Sequence, residues 1–554
     1  MFFIQKKLPR AHALGEPLLH DDHPRPVSRR DFLSAGLISA PGMVLAPAWL
    51  GALLKSGRAN AGNSLLDTDI QALLAANQCN VPTASSGIPF ICFDLAGGAN
   101  LVGSEVLVGQ NGGQQNFLST AGFGKLGIPG NMVPTSSTFI SSALGLLWHS
   151  DGAILRGITA KAVTPATMTN TNGAVICAMS QNDTQNNPHN PMYGIAMATN
   201  KQGQTPKGML LNLVGSQSSV SGGNSQAPMQ LINPALQPTK ISQPADDAGL
   251  VNTSGATVDP VALAVLESQE RISTGTGLYD STNTSAAAEN AFTGVMSAPA
   301  GSNSGVQFLI DPAADAALKN SVRCAYVKSA NTTAAFGASP LDPTKDPLIT
   351  GGTTPIFTAT DFKDNDIAAT ASVMKLVVGG YAAAGTITLG GYDYHDSTRA
   401  TGEMRNFKAG QMIGAVLEYA QRRGSPVMIY VFSDGSLTST GMPDTSAAGR
   451  GKLGWQGDNS SVASTFFLAY KPGGTRPQLR NGVAGQQIGY FSSDGSVVGT
   501  SSPVANNVTS LVQAVILNYM GLSGTDNLFT SLFPMQALGS AATLASLTAF
   551  APIV

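Results

Sequence analysis

The segment Gly385-Thr-Ile-Thr-Leu-Gly-Gly-Tyr-Asp-Tyr-His395, with the helical pattern and the apolar run that follow it, decides the fold class. Residues 386–389 are apolar or β-branched and predict a strand, and a second strand is predicted over 427–432. Between them, residues 403–422 predict a helix that Gly424 is placed to end. Its apolar residues recur at helical spacing: Met404, Phe407, Ile413, Val416, Leu417 and Ala420. A strand–loop–helix–strand unit of this kind predicts parallel strands.

The rest of the chain repeats the alternation of strands and helices. Further strands are predicted at 88–95, 153–158, 209–214 and 464–470. Further helices are predicted at 64–76, 137–149, 260–273, 313–329 and 366–384. Such alternation predicts an α/β sandwich with a mostly parallel central sheet. Four polar, glycine-rich stretches predict loop insertions, at about 215–226, 274–305, 331–354 and 436–461.

The N-terminal region has the pattern of an export signal. Ser28-Arg29-Arg30-Asp31-Phe32-Leu33 opens an apolar stretch that reaches Leu54, and Ala59-Asn60-Ala61 fits a small-x-small cleavage site. A membrane anchor is the alternative, but glycine and proline interrupt the stretch, so we expect no stable membrane insertion. We therefore expect a twin-arginine signal over 1–61, carried by Arg29 and Arg30, and a single domain over 62–554. The twin-arginine translocase would be the partner during export, and the periplasm or the exterior the destination.

Composition limits the classes of partner. Eight of the 31 Lys and Arg and four of the 33 Asp and Glu precede Gly62, so the remainder carries a formal charge of about −6. A mildly acidic chain lacks the basic patches that nucleic acids require, so we expect no nucleic-acid partner.

The four cysteines show no C-x-x-C spacing, which argues against a zinc ribbon or a redox pair. The sequence leaves open whether Cys79 and Cys92 form a disulfide after export. Cys92 and Cys177 lie in apolar runs, where a small buried side chain is the usual interpretation.

The scarce histidines narrow the search for a site. Only His149, His189 and His395 follow the twin arginines. His395 stands two residues after Asp393 in a loop that leaves a strand, so an extended backbone would direct both side chains to the same side. An Asp-x-His pair of this kind supplies two ligands for a divalent metal.

Two further carboxylates are expected at the same edge of the sheet. Asp94 lies at the end of the first predicted strand, and Asp434 follows the strand at 427–432. The carboxyl ends of parallel strands are where α/β sheets place their sites, so a metal centre of Asp94, Asp393, His395 and Asp434 is predicted. The alternative is that each Asp only caps the helix that follows its strand.

Several short motifs together resemble a large group of twin-arginine-exported bacterial proteins of unknown function within the alkaline phosphatase and sulfatase-like superfamily. The motifs are Asp94-Leu-Ala-Gly-Gly-Ala-Asn100, Gly390-Gly-Tyr-Asp-Tyr-His395 with its long helix, the stretch 427–435, and Gly457-Asp458-Asn459. The resemblance implies a three-layer sandwich whose central sheet presents one or two metals, and a nucleophilic Ser or Thr. It assigns Asp94 to the first strand, Asp393 and His395 to one metal and Asp434 to the second.

This chain departs from the family pattern at three places. Asn459 replaces the histidine of Gly-x-Asp-His-Gly, and Gly435 replaces a histidine after the carboxylate at Asp434. His189 lacks a serine two residues before it, which leaves Ser180 or Thr184 as a displaced nucleophile and the catalytic residue unknown. His189, Asp458 and Asn459 are therefore weaker metal candidates. An asparagine carbonyl suits Ca²⁺ or Mg²⁺ better than Zn²⁺, so we expect one such ion or none.

Three functions follow. The first is an exported envelope protein with a degenerate metal site and little or no catalysis, which the missing histidines favour. The second is a metal-dependent hydrolase of phosphate or sulfate esters. The third is a polysaccharide- or surface-binding protein, suggested by the long polar insertions.

Overall fold

A computed structural model of the chain describes residues 87–134, 137–180, 188–201, 211–217, 227–232, 238–250 and 341–554. The predicted export signal, the insertion at 274–305 and the predicted helices at 64–76, 260–273 and 313–329 lie outside the described residues. Within the described ranges, no helix has both the length and the apolar character needed to cross a bilayer.

The described residues form twelve strands. They are β1 (Phe90–Leu95), β2 (Ile140–Leu144), β3 (Leu146–His149), β4 (Thr171–Ile176), β5 (Leu211–Gly215), β6 (Thr239–Lys240), β7 (Ala382–Leu389), β8 (Val427–Phe432), β9 (Leu437–Pro443), β10 (Leu453–Asp458), β11 (Thr465–Tyr470) and β12 (Gln487–Ile488).

The same residues form eleven α-helices. They are α1 (Thr120–Lys125), α2 (Ala153–Lys161), α3 (Pro165–Thr169), α4 (Met192–Lys201), α5 (Pro244–Leu250), α6 (Pro347–Thr350), α7 (Asn365–Val378), α8 (Ala400–Arg423), α9 (Val508–Leu522), α10 (Phe529–Leu532) and α11 (Ala541–Leu547).

Eight strands build the central sheet, in the order β12-β4-β11-β8-β1-β7-β5-β6. Strand β1 lies inside the sheet, parallel to both β7 and β8. Strands β5 and β6 continue the parallel arrangement, and only β11 runs antiparallel to its neighbours β8 and β4. The predicted α/β class with a mostly parallel sheet is confirmed.

Helices cover both faces of the sheet. Odd-numbered residues of β1, such as Phe93, pack in a core with α2, α7 and α8, and even-numbered residues, such as Phe90, pack in a second core with α4 and α9. Each apolar face is buried against helices, which is compatible with a three-layer sandwich. The two cores sit on either side of one sheet, and Tyr392 and Tyr394 of the loop after β7 belong to the first core.

The unit that decides the fold class forms as predicted. Strand β7 leads through the 390–399 loop into α8, and β8 follows. Gly424 ends α8 in the left-handed conformation, with φ 65°. Strand β1 lies between β7 and β8, so this connection skips one strand of the sheet.

Two short predictions were wrong in type. The predicted strand at 153–158 is helix α2, whose Ile154 and Ile158 face the core one turn apart. A segment of six residues, four of them apolar, is too short to separate the two periods. The predicted helix at 137–149 is a hairpin of β2 and β3, because Gly145 turns the chain with φ 77°.

Two boundaries also differ. Helix α7 ends at Val378, and residues 382–384, predicted as helix, belong to β7, since Gly380 adopts φ 83° between them. The predicted loop at 436–461 contains the β9–β10 hairpin, and 341–354 of the predicted 331–354 loop contains α6. The 436–461 stretch is therefore an ordered element beside the sheet.

Cys92 and Cys177 are free, buried thiols, as predicted for small core side chains. Cys92 lies 3.0 Å from the hydroxyl of Thr386 on the neighbouring strand. Cys79 lies outside the described residues.

Candidate functional site

The carboxyl edge of the sheet carries the first two predicted ligands, both buried. Asp94 is the penultimate residue of β1, and its carboxylate accepts a hydrogen bond from Thr388 of β7 at 3.2 Å. Asp434 lies two residues beyond β8 and accepts a hydrogen bond from the backbone N–H of Gly97 at 3.0 Å. Burial, with a smaller contribution from the charge of Asp393, raises the pKa of Asp434 to about 6.

The loop after β7 presents Asp393 and His395 to solvent. Tyr392 and Tyr394 are buried, whereas Asp393 and His395 are exposed, so the loop alternates as an extended segment does. The Tyr394 hydroxyl accepts a hydrogen bond from the Asn100 N–H and donates one to the Asn406 side chain, both at 3.0 Å. These buried anchors fix the direction of the two exposed ligands.

Asp393, His395 and Asp458 form a three-residue group. The Nε2 atom of His395 lies 2.9 Å from Oδ1 of Asp393 and 3.9 Å from Oδ1 of Asp458. One ligand atom from each residue lies within 4.8 Å of the other two, and the three side chains are 42–52% exposed. Two carboxylate oxygens and one imidazole nitrogen are donor types that bind divalent cations.

The β9–β10 hairpin brings Asp458 to this group. Asp458 ends β10, opposite Leu437 of β9. The Ser397 N–H donates to the Trp455 carbonyl at 2.8 Å, and the Trp455 N–H donates to the Thr398 carbonyl at 3.0 Å. We call these two bonds the 397–455 clamp. Because the clamp lies two residues from His395 and three from Asp458, it sets the separation of the two ligands.

The predicted ligands separate into two sets. Asp393 and His395 join Asp458, one of the weaker candidates. Asp94 and Asp434 are not members of the group whose atoms lie within 4.8 Å among the described residues. They lie in the buried part of the same edge.

The remaining candidates are hydrogen-bonded to other residues, buried, or outside the described residues. The Asn459 carbonyl oxygen accepts hydrogen bonds from the N–H and hydroxyl of Ser461, and its amide donates to Thr438. His189 is buried and stacks on Phe432, with ring centroids 5.5 Å apart, and burial lowers its pKa to about 3. Ser180 is buried as well, and Thr184 lies outside the described residues.

A buried ionic cluster next to the group was not predicted from the sequence. Arg399 and Lys452 both pair with Glu403, at 2.9 and 2.8 Å, and all three side chains are at most 3% exposed. Glu105 lies close by, and burial together with the charge of Glu403 raises its pKa to about 7. The i,i+4 spacing of Arg399 and Glu403 at the start of a predicted helix was the available signal.

Comparison of the chain with family models, with curated proteins and with solved structures finds no match. The resemblance to the alkaline phosphatase and sulfatase-like superfamily stays a prediction from short motifs.

Proposed function

We propose that this chain is an exported envelope protein whose Asp393, His395 and Asp458 bind one divalent cation. One observation carries the proposal: two segments far apart in the sequence bring three ligand atoms within 4.8 Å of one another at the carboxyl edge of the sheet. Adjacent acidic groups repel each other, and a cation between them removes that cost.

The donor set changes the expected ion. The side-chain carbonyl of Asn459 is the group that favours Ca²⁺ or Mg²⁺. In the structure this oxygen accepts two hydrogen bonds from Ser461. Imidazole with two carboxylates instead suits a first-row transition metal such as Zn²⁺ or Mn²⁺. Three protein ligands leave coordination positions open to water or to a bound molecule.

The group is tested by titrating the purified protein with Zn²⁺ and Mn²⁺ in a calorimeter. Asp393→Ala, His395→Ala and Asp458→Ala should each weaken binding by at least about 100-fold, since losing an outer-sphere partner alone costs 10- to 100-fold. Gln456→Ala is the matched control, because Gln456 is an exposed side chain two residues from Asp458 on the same strand. Unchanged affinity in the three ligand variants would refute the proposal.

A second candidate is hydrolysis of phosphate or sulfate esters, and Asp434 favours it. A buried carboxyl group with a pKa of about 6 is poised to accept a proton near neutral pH, as a general base must. A divalent cation at the neighbouring group would supply Lewis-acid stabilisation of the ester oxygens. The missing family histidines and the unknown nucleophile still favour the non-catalytic form.

Nitrophenyl phosphate and nitrophenyl sulfate distinguish the two forms. If the protein is a hydrolase, turnover should fall about 100-fold or more in both Asp393→Ala and Asp434→Asn and persist in Gln456→Ala. Wild-type protein that binds the metal but turns over neither ester supports the non-catalytic form. Turnover that survives Asp393→Ala would exclude the metal group from catalysis.

A further inference from the structure

The buried side chain of Arg399 contacts helix α8, which follows the loop of Asp393 and His395, and strand β10, which ends at Asp458. Arg399 lies four residues after His395. Its Nε donates a hydrogen bond to Oε1 of Glu403 in α8 at 2.9 Å, and its Nη2 forms an ion pair with the same oxygen at 2.9 Å. The same guanidinium lies 4.5 Å from the centre of the Trp455 ring on β10. It also approaches the carbonyl oxygens of Leu453 and Gly127, at 3.5 and 3.4 Å.

The space around this guanidinium is closely filled. A methyl group added at Gly127 would lie 2.4 Å from Nη1 of Arg399, and one added at Gly454 would lie 2.6 Å from the Ser397 carbonyl. Trp455 in turn lies 6.5 Å from the ring of Tyr394, which sits between the ligands Asp393 and His395. The contacts therefore connect Arg399, through Trp455, to the strand that carries Asp458 and to the loop that carries Asp393 and His395.

We propose that Arg399 is the positioning residue of the metal group: it holds β10 against the ligand loop, so that Asp458 stays within reach of His395. This inference rests on the proposed function. A planar guanidinium can stack on an indole and hydrogen-bond along its edge at the same time, whereas an ammonium group cannot. Charge alone is therefore insufficient at this position.

Glu403 provides a matched comparison, because a second arginine binds the same carboxylate. Arg156 reaches Glu403 at 2.6 Å but stacks on Phe407 of α8 and is 29% exposed. Its contacts with Glu403, Asp151 and Phe407 include neither β10 nor the ligand loop. Arg399→Lys and Arg156→Lys thus make the same chemical change at two arginines that bind the same carboxylate. Only Arg399 also contacts Trp455, a residue of the 397–455 clamp.

The test measures Co²⁺ affinity and the visible spectrum of bound Co²⁺ in both variants. Arg399→Lys should raise the Kd by 10- to 100-fold and shift the spectrum, as expected when a residue that orients ligands is lost. Arg156→Lys should stay within about 2-fold of wild type with an unchanged spectrum. Equal weakening in both variants, or wild-type binding by Arg399→Lys, would overturn the inference.

A metal-free readout separates this inference from the proposed function. Hydrogen exchange at the amides of Ser397 and Trp455 reports the clamp directly, and it should accelerate about 10-fold or more in Arg399→Lys but not in Arg156→Lys. If wild-type protein binds no Co²⁺, the proposed function fails, and the exchange rates alone decide whether Arg399 holds the clamp. Unchanged exchange in Arg399→Lys refutes the positioning role.

Should Arg399→Lys fail to fold, Trp455→Leu replaces it as the test. That substitution removes the stacking surface and keeps both backbone bonds available. It should weaken Co²⁺ binding and accelerate exchange at Ser397 in the same direction. A Trp455→Leu protein with wild-type affinity and exchange would also refute the role.

Discussion

At the scale of single residues, the site depends on buried neighbours that hold exposed ligands. Tyr392 and Tyr394 are each 2% exposed or less, and they alternate with the two ligands Asp393 and His395. Gly97 lets the loop after β1 approach this segment, because its φ is +128° and an added methyl would lie 2.4 Å from the Asp393 nitrogen. The position of Asp393 is therefore set by the backbone contact with Gly97 as well as by the buried tyrosines on either side of it.

Gly97→Ala should destabilise the protein by about 2 to 4 kcal/mol and weaken metal binding, because the new methyl meets backbone atoms that cannot move aside. Gly112→Ala is the control, since Gly112 also has positive φ, +98°, but open space around it. Urea unfolding measures the free energy, with a cost of about 1 kcal/mol expected for the control. Equal costs for the two variants would mean that the close approach at Gly97 is unimportant.

His149 should make the protein sensitive to acid. Its Nδ1 accepts from the Asp151 N–H, so Nε2 carries the proton and donates to the Met132 carbonyl at 3.0 Å. Burial lowers the pKa of His149 from 6.5 to about 4. The folded state therefore disfavours the proton, and the stability that His149 contributes is present above pH 6.5 and is lost as pH falls through 4.

Urea unfolding from pH 7 to pH 4 checks this. The wild type should lose about 3 kcal/mol more than His149→Gln over that range, by 1.36 kcal/mol per pKa unit. The exposed His395, substituted by Gln and measured with chelator present, is the control. Parallel pH curves for wild type and His149→Gln would show that protonation of His149 does not limit stability in acid.

At the scale of elements, helices α2 and α8 pack so closely that their backbones are in contact. Methyl groups added at Gly157 and Gly410 would each lie 2.1 Å from a carbonyl oxygen of the opposite helix. Such small residues let two helices approach closely, and this contact fixes the helix that follows the ligand loop.

Gly410→Ala reverses the usual effect of replacing a helical glycine. In an open helix the change stabilises by up to about 1 kcal/mol, whereas here the methyl should force the helices apart and destabilise by about 2 kcal/mol or more. Gly124→Ala in α1, with nothing near its added methyl, is the comparison. Thermal unfolding reports both, and a stabilised Gly410→Ala protein would show that the helices are not in tight contact.

The elements also show what the sequence could predict. The strand–loop–helix–strand unit from 386 to 432 carries long periodic runs and an ending glycine, and it was predicted correctly. Short runs such as 153–158 carry too few residues to define a period. The β9–β10 hairpin was predicted as a loop because its polar composition hides its pairing, and so the importance of Asp458 was underestimated.

At the scale of the whole molecule, one mostly parallel sheet gathers distant segments at its carboxyl edge. Asp393 and His395 were predictable because local spacing alone placed them together. Their partner depends on the hairpin and on the buried cluster of Arg399, Glu403 and Lys452, contacts between residues that local patterns do not encode. Tertiary packing, and not the spacing of residues in the sequence, therefore determines that Asp458 belongs to the three-residue group and that Asp94 and Asp434 do not.

A bound cation should stabilise the whole fold. By mass action, free metal at 100 times its Kd adds about 2.7 kcal/mol to the free energy of unfolding. Chelator should therefore lower the Tm of wild-type protein prepared with Zn²⁺, and it should leave the Tm of Asp458→Ala unchanged. A Tm that does not respond to chelator in either protein would indicate that the site binds no metal.

The most direct measurement is anomalous diffraction from crystals grown with Zn²⁺, recorded on both sides of the zinc absorption edge. We expect one peak about 2.0–2.2 Å from the ligand atoms of Asp393, His395 and Asp458. A peak between Asp94 and Asp434 instead, or no peak at these three side chains, would refute the metal group.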